Sequence, residues 1–281
     1  MTVMTDDDYL LRLLKEDCPS VDLTTQGLGI GAELGAVKAH FKKPGIAAGV
    51  RLAARLFELS GAETEIHAED GDRLEAGEPI LIARGTAANL HRVYKVAQTL
   101  MEYASGIARL TNEMVTSAKL VNSRVQVAAT RKHMPGTKPI ALAGVAAGGG
   151  IVHRLGLSDS ILVFDQHLVF CGDADAAISH LKMVSPERKV AVEVGSCEDG
   201  VRMAKLGADI IQCERMPLDE LAALAATLRG LNPNIVVSAA GGINEKTAAD
   251  YAKTGVDLLV TSRPYQAAPF DVKMSFFSKA D

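Results

Sequence analysis

From Val125 onward, short apolar runs recur at intervals along the chain: Val125–Ala129, Ile161–Phe164, Val190–Val194, Asp209–Cys213, Ile235–Ala239 and Asp257–Val260. Helical segments fill the spaces between them, so the pattern reads as about six strands in β–α alternation, which points to a parallel sheet, open or closed into a barrel. A polar residue or a glycine stands at or just after the runs: Arg131, Asp165, Glu193, Glu214, Gly241-Gly242 and Ser262. A ring of strand ends brings all of these to one mouth, and this favours the barrel.

The N-terminal stretch follows a different pattern. It has a helix at Val50–Leu59, an alternating stretch at Ala36–Phe41 and a glycine-punctuated segment from Thr64 to Gly85, which together read as a separate α+β domain. Asp70 to Pro79 has the turn-rich composition of a biotinyl or lipoyl carrier hairpin. It lacks a lysine flanked by small residues or Met, so the segment reads as hairpin turns in a structural domain. Ala87 to Leu120 is helical in pattern apart from Gly106 and links the two domains. With 281 residues and 48% hydrophobic content, the chain has enough material for one large or two modest cores.

A formal net charge of -4 argues against a nucleic-acid surface or an anionic membrane as partner. The cations near Arg131 stand out against that background and favour a small anionic ligand. Cys18, Cys171, Cys197 and Cys213 are widely separated and form no C-x-x-C pair, so reduced thiols in a cytoplasmic protein are expected, without a structural zinc or a disulfide framework. Asp6-Asp7-Asp8 ahead of Leu10, Leu11, Leu13 and Leu14 reads as a capped amphipathic helix rather than a signal sequence. No apolar run is long enough to span a bilayer.

The chemistry concentrates between Thr130 and His167, where Thr130-Arg131-Lys132, Gly148-Gly149-Gly150, His153-Arg154 and Asp165-Gln166-His167 follow one another. Cations beside backbone-exposing glycines make a phosphate or carboxylate pocket. Taken singly, Arg131-Lys132 also reads as a solvated strand end and the triple glycine as a flexible connection. Glu193 and Glu214 end strands and need a metal, a cation or a sugar hydroxyl as partner, with a salt bridge to Lys132 or Arg154 as the plainer alternative. Ala239 to Ile243 precedes a helix expected near Asn244-Glu245, where backbone amides cradle a phosphate or simply form a turn.

Thr130-Arg131-Lys132, the triple glycine with His153-Arg154, Val192-Glu193-Val194, Gly241-Gly242-Ile243 and Thr254-Gly255-Val256-Asp257 together resemble the quinolinate phosphoribosyltransferase family. Ser105-Gly106-Ile107-Ala108 and Asp22-Leu23-Thr24 fit the same pattern, so the resemblance covers almost the whole chain. It implies an α/β fold in which an N-terminal sandwich domain with the linking helix (residues 1–114, with the tail 265–281 packing on it) accompanies an incomplete, TIM-like parallel α/β barrel (residues 115–264). The implied reaction transfers 5-phosphoribose from phosphoribosyl pyrophosphate (PRPP) to a pyridine nitrogen. In the parent reaction quinolinate also loses a carboxyl group to give nicotinate mononucleotide. The resemblance further implies Mg²⁺ as cofactor and a homodimer, or a higher oligomer, with shared sites, in which Lys95 of the linking helix reaches the neighbouring subunit's pocket.

Carried over position by position, the resemblance makes Lys132, Glu193 and Glu214 catalytic, with Glu193 and Glu214 also the Mg²⁺ ligands. Lys95, Arg131, Lys132, His153, Arg154 and Phe164 would bind substrate, and Ala240, Gly241, Gly242 and Ser262 would bind phosphate. The departures lie in this same set. Phe164 stands where the family has a lysine, Tyr94-Lys95 where it has Glu-Arg, Cys213-Glu214-Arg215 for Leu-Asp-Asn, Ala240 for a serine, and Ser262 for a glycine. These changes are similar to the ModD branch, a group associated with molybdate-uptake genes. Leaving a buried carboxylate without its cation costs about 3–5 kcal/mol. That is a loss of roughly 10²–10³-fold or more in recognition. Phe164 therefore argues against efficient use of the quinolinate dianion unless Arg215 or Lys138 compensates. The expected activity is phosphoribosyl transfer to a different or less demanding anionic heterocycle. The alternatives are a genuine quinolinate enzyme of NAD synthesis and a non-catalytic accessory protein that binds a nucleotide or oxyanion.

Overall fold

The computed structural model describes residues 6–278. Its first elements are helices α1 (Asp7–Asp17) and α2 (Leu23–Gly27), strands β1 (Leu34–Phe41) and β2 (Gly45–Ile46), helix α3 (Val50–Leu59), strands β3 (Glu63–Ile66), β4 (Arg73–Leu74) and β5 (Pro79–Thr86), and the long helix α4 (Ala87–Val121). There follow β6 (Gln126–Ala129), α5 (Lys138–Ala147), β7 (Ile151–Val152), β8 (Ile161–Val163), α6 (Asp165–Leu168), α7 (Ala174–Val184), β9 (Val190–Val194) and α8 (Cys197–Lys205). The chain continues through β10 (Ile210–Glu214), α9 (Leu218–Leu231), β11 (Val236–Ala240), α10 (Ala248–Lys253), β12 (Leu258–Thr261) and β13 (Val272–Ser278). Two compact units result. One holds the described parts of Met1–Thr111 and Pro264–Asp281 together with His133–Gly149, and the other holds Asn112–Lys132 and Gly150–Arg263.

The first unit is built on a four-stranded sheet in the order β13-β1-β5-β3, each neighbour antiparallel. Alternation along β1 buries Val37, Ala39 and Phe41 while their neighbours stay partly open, the period-two signature of a sheet with one packed face. Val50, Ala53, Ala54, Leu56 and Phe57 of α3 are buried in the same core. Phe41 also meets the Phe270 ring edge-on, with centroids 5.1 Å apart. The tail strand β13 pairs with β1 from Gly35↔Ser278 to Phe41↔Val272. Gly106 interrupts an otherwise strongly helical stretch because a Cβ there would collide with the Ala268 carbonyl oxygen. Close approach of that loop outweighs the helix cost of glycine, about 1 kcal/mol relative to alanine.

The second unit carries a seven-stranded parallel sheet in the order β7-β6-β12-β11-β10-β9-β8. It curls as a half-barrel. β7 and β8 are its two edges and do not pair with each other. Six of these strands correspond to the apolar runs of the sequence. The seventh is Ile151–Val152, two residues that pair with Ala128 and Ala129 just after the triple glycine. Val127, Val192, Ile211, Val237 and Leu259 fill the core together with Ile178, Met203, Leu221, Leu224 and Leu228 from the surrounding helices.

The end of this sheet where the strands begin is tied by a repeated device. Asp209 Oδ2 accepts from the Val190 backbone N–H at 2.7 Å and from Lys182 Nζ at 2.7 Å. Asp257 repeats the pattern two strands on, its Oδ2 accepting from Val237 N–H at 2.9 Å and its Oδ1 from Arg229 at 3.0 Å. Each aspartate thus joins the start of its own strand to the start of the preceding strand and to the helix that leads into that preceding strand.

Candidate active site

The strands of the second unit all point their C-terminal ends the same way, so the polar residues after them gather on one face. Beyond β6, the ladder runs one step further through Thr130 N–H to the Thr261 carbonyl at 3.0 Å. Thr130 Oγ1 lies 2.6 Å from Ser262 Oγ and accepts from Lys132 N–H at 3.2 Å, which fixes the turn that presents Arg131 and Lys132. Beyond β7, His153 N–H donates to the Ala129 carbonyl at 3.0 Å and directs His153 and Arg154 toward the same end.

Arg154 is buried, at 7% exposure, and among the described residues no carboxylate lies within ion-pairing distance of it. Burial first, and then repulsion from Arg131, lowers its pKa. Burial and the neighbouring Arg154 charge also hold the His153 imidazole below the usual histidine range, so it stays neutral at pH 7 and offers a hydrogen bond rather than a charge.

Carboxylates occupy strand ends on the other side of the sheet, at β9 and β10 and just after β8. Glu193 of β9 stands in register with Gln212 of β10, whose Nε2 donates to Glu193 Oε2 at 2.7 Å. Burial pushes the Glu193 carboxyl above the usual range. The Gln212 hydrogen bond and Lys132 oppose that shift, while the charges of Glu214 and Asp165 add to it. Three carboxylates thus share one electrostatic environment with Lys132, an arrangement that invites a cation or a developing positive charge.

Glu214 Oε1 lies 3.4 Å from Arg215 Nε. Arg215 adopts φ 52, the only non-glycine residue with positive φ among those described. Its N–H donates to the Ala240 carbonyl at 2.8 Å, which ties the strained turn to the end of β11. Gly241 and Gly242 follow with φ 86 and 78. A Cβ at Gly241 would sit 2.6 Å from Glu214 Oε1, whereas Gly242 opens onto free space. The first glycine makes room for the carboxylate and the second leaves its backbone approachable.

The helix expected near Asn244-Glu245 begins instead at Ala248. Residues 243–247 form a turn in which Asn244 Oδ1 accepts from Lys246 N–H at 2.9 Å and Thr247 Oγ1 accepts from Asn244 N–H at 3.0 Å. Asn244 and Thr247 satisfy the local amides with their own side chains, a habit of Asx and Thr residues that delays helix entry. An anion at Gly241-Gly242 therefore meets a glycine turn and not a helix N-terminus.

Phe164, at the end of β8, contacts both Arg154 and His167. The Arg154 guanidinium carbon lies 5.6 Å from the ring centroid. The His167 ring stacks at 5.7 Å and 15°, with its Nδ1 accepting from Phe164 N–H at 3.0 Å. Arg154 follows one edge strand and Phe164 the other, so this contact spans the opening of the sheet at its mouth.

Arg131, Lys132, His153, Arg154, Phe164, Glu193, Glu214, Ala240, Gly241, Gly242 and Ser262 thus share the strand-end face of one unit. Lys95 belongs to the other unit, where its Nζ donates to Gln98 Oε1 at 2.9 Å and lies 5.1 Å from the Tyr94 ring centroid. Lys138 also falls in that unit, and Arg215 is turned toward Glu214. Gln212 escaped the sequence reading, although a buried glutamine inside the apolar run from Ile210 was the available signal. Glu193 and Glu214 fit Mg²⁺, which takes one or two carboxylates and completes its shell with water and substrate phosphates. Among the described residues no group of three or more His, Cys, Asp or Glu is placed to hold a metal by itself. All four cysteines are free, and no helix among those residues is long and apolar enough to cross a membrane.

Residues 107–275 match the model of the quinolinate phosphoribosyl transferase C-terminal domain, and residues 22–105 that of its N-terminal domain. The chain is 42% identical to a protein of Rhodobacter capsulatus named as a ModD pyrophosphorylase, over 90% of this chain and 98% of the relative. It is 34% identical to a protein of Methanothermobacter thermautotrophicus named as a carboxylating nicotinate-nucleotide pyrophosphorylase, over 90% and 91%. The crystal structure of NadC from Streptococcus pyogenes superimposes with a TM-score of 0.90 at 27% identity, covering 99% of both chains. With both family domains matched in order and nearly the whole length shared, the chain belongs to the quinolinate phosphoribosyltransferase family.

Proposed function

We propose that this protein transfers 5-phosphoribose from PRPP to a ring nitrogen of an anionic heterocycle other than quinolinate, releasing pyrophosphate, as a ModD-type enzyme of the cytoplasm associated with molybdenum transport. The observation that carries this reading is the buried Arg154 guanidinium without a carboxylate partner, beside Arg131 and across the sheet from a cluster of carboxylates. Unpaired buried charge is costly and is retained where a ligand supplies the counter-charge.

In this scheme the Gly241-Gly242 amides, Ala240 and Ser262 receive the 5-phosphate, and Arg131 and Lys132 take up negative charge on the departing pyrophosphate. Arg154 holds the acceptor's anionic group and neutral His153 orients the ring. The bond from ribose C1 to pyrophosphate oxygen breaks as the acceptor nitrogen bonds to C1. Glu193 and Glu214 stabilise the oxocarbenium-like centre that passes between them. Mg²⁺ bound by these two carboxylates would shield the pyrophosphate charge. A homodimer, with Lys95 of the partner subunit completing each pocket, accords with the family resemblance.

The test is PRPP-dependent pyrophosphate release across a panel of nitrogen heterocycles with Mg²⁺ present. Release with an anionic heterocycle, and weak or no release with quinolinate, is the expected result. Efficient turnover of quinolinate would move the protein to NAD synthesis. Failure to bind PRPP by calorimetry would remove the transferase reading altogether.

A further inference from the structure

We infer that Phe164 is a positioning residue that fixes Arg154 and thereby selects an acceptor carrying a single carboxylate, a heteroaromatic monoanion. This rests on the reading of Arg154 as the acceptor's anion site. The Phe164 ring touches two groups: Arg154, with its guanidinium carbon over the ring 5.6 Å from the centroid, and His167, whose ring is nearly parallel with its centroid 5.7 Å away. The phenyl group contributes attraction for the guanidinium, about 0.5–2 kcal/mol for such pairs depending on desolvation.

His167 is held in turn. Its Nδ1 accepts from Phe164 N–H at 3.0 Å and its own N–H donates to the Phe164 carbonyl at 2.8 Å. The His167 ring is thus pinned to the backbone at the start of α6. Charge counting gives the selectivity. Arg131 and Lys132 flank the phosphate-binding strand ends, and Lys132 faces Glu193. Arg154 remains as the buried cation free for the acceptor, and an aromatic ring occupies the place beside it. A second carboxylate at that place would meet the phenyl group and shed its hydration without gaining a partner.

The experiment measures calorimetric binding of nicotinate, a monocarboxylate probe, and of quinolinate, a dicarboxylate probe, to the full chain with PRPP and Mg²⁺ binding measured in parallel. Wild type should bind nicotinate at least tenfold more tightly than quinolinate. Phe164→Leu should weaken nicotinate by about two- to thirty-fold while leaving PRPP affinity unchanged, and Phe164→Tyr should restore it. A merely structural role for the ring would shift both ligands alike. Equal or tighter binding of quinolinate by wild type overturns the inference without any variant, as does failure of both probes to bind while PRPP binds. Unaltered nicotinate binding in a folded Phe164→Leu protein also overturns it. Loss of PRPP binding by wild type would instead bring down the underlying transferase reading.

Discussion

The two ends of the parallel sheet treat charge in opposite ways. Where the strands begin, Asp209 is paired with Lys182 and Asp257 with Arg229, and each aspartate also accepts a backbone N–H. Where the strands finish, Arg154 is buried without a carboxylate, Arg131 repels it, and Glu193 sits among like charges. Same sheet, same residue types, different pairing: one end is satisfied and the other is left in tension. On the function proposed above, the paired groups hold the fold and the groups without an ionic partner await a ligand.

That contrast is sharpened most by substitutions at the mouth. Arg131→Ala or Lys132→Ala should cut turnover by about 10²–10³-fold while leaving the circular dichroism spectrum and thermal midpoint near wild type. Full activity in a folded Lys132→Ala protein would take Lys132 out of the site. The mirror experiment is Asp209→Ala, which strands Lys182 and the Val190 N–H. It should cost about 2–4 kcal/mol in urea unfolding with kcat/KM unchanged under folding conditions. Catalytic loss without destabilisation would show that Asp209 serves the reaction and not the fold.

A smaller effect is expected from Phe164→Lys, which places a second cation beside Arg154. Quinolinate turnover should rise about tenfold relative to wild type, measured as nicotinate mononucleotide formed. A wild type already proficient with quinolinate, and only harmed by the change, would contradict the assignment. The smallest effect tests stability at the mouth directly. Because the folded-state pKa of Glu193 is raised by burial and neighbouring carboxylates, its ionised form opposes folding once the pH exceeds that raised value. Below the unfolded-state pKa the opposition vanishes. Glu193→Gln should therefore raise the thermal midpoint by about 1–3 °C at pH 7.5, lose that advantage as the pH falls through the carboxylate range, and be impaired in turnover.

Much of this was legible in the sequence because strand-end chemistry follows directly from β–α alternation. Arg131, Glu193, Glu214 and Gly241-Gly242 lie where apolar runs stop. Strand β7 was invisible because two residues carry no periodicity, and the triple glycine before them reads as a connection. The late start of α10 was hidden because side-chain hydrogen bonds from Asn244 and Thr247 compete with helix formation. Phe164 was legible as a missing cation, yet its contact with Arg154 was not. The two residues follow opposite edges of the sheet, and only the curvature of seven strands brings them together. Gln212 and the Thr130–Ser262 pair are likewise cross-strand facts that register alone decides.

The unpaired edges give the half-barrel a mechanical property that a closed ring lacks. To widen its mouth, a closed barrel must stretch ladder hydrogen bonds all the way round. Here β7 and β8 are bridged at the strand ends by Arg154 against Phe164, a soft contact between a cation and a ring. Parting that pair enlarges the aperture with every backbone ladder intact. The seam is thus a line along which the mouth can widen without the loss of a ladder hydrogen bond, and Arg154 and Phe164 close it.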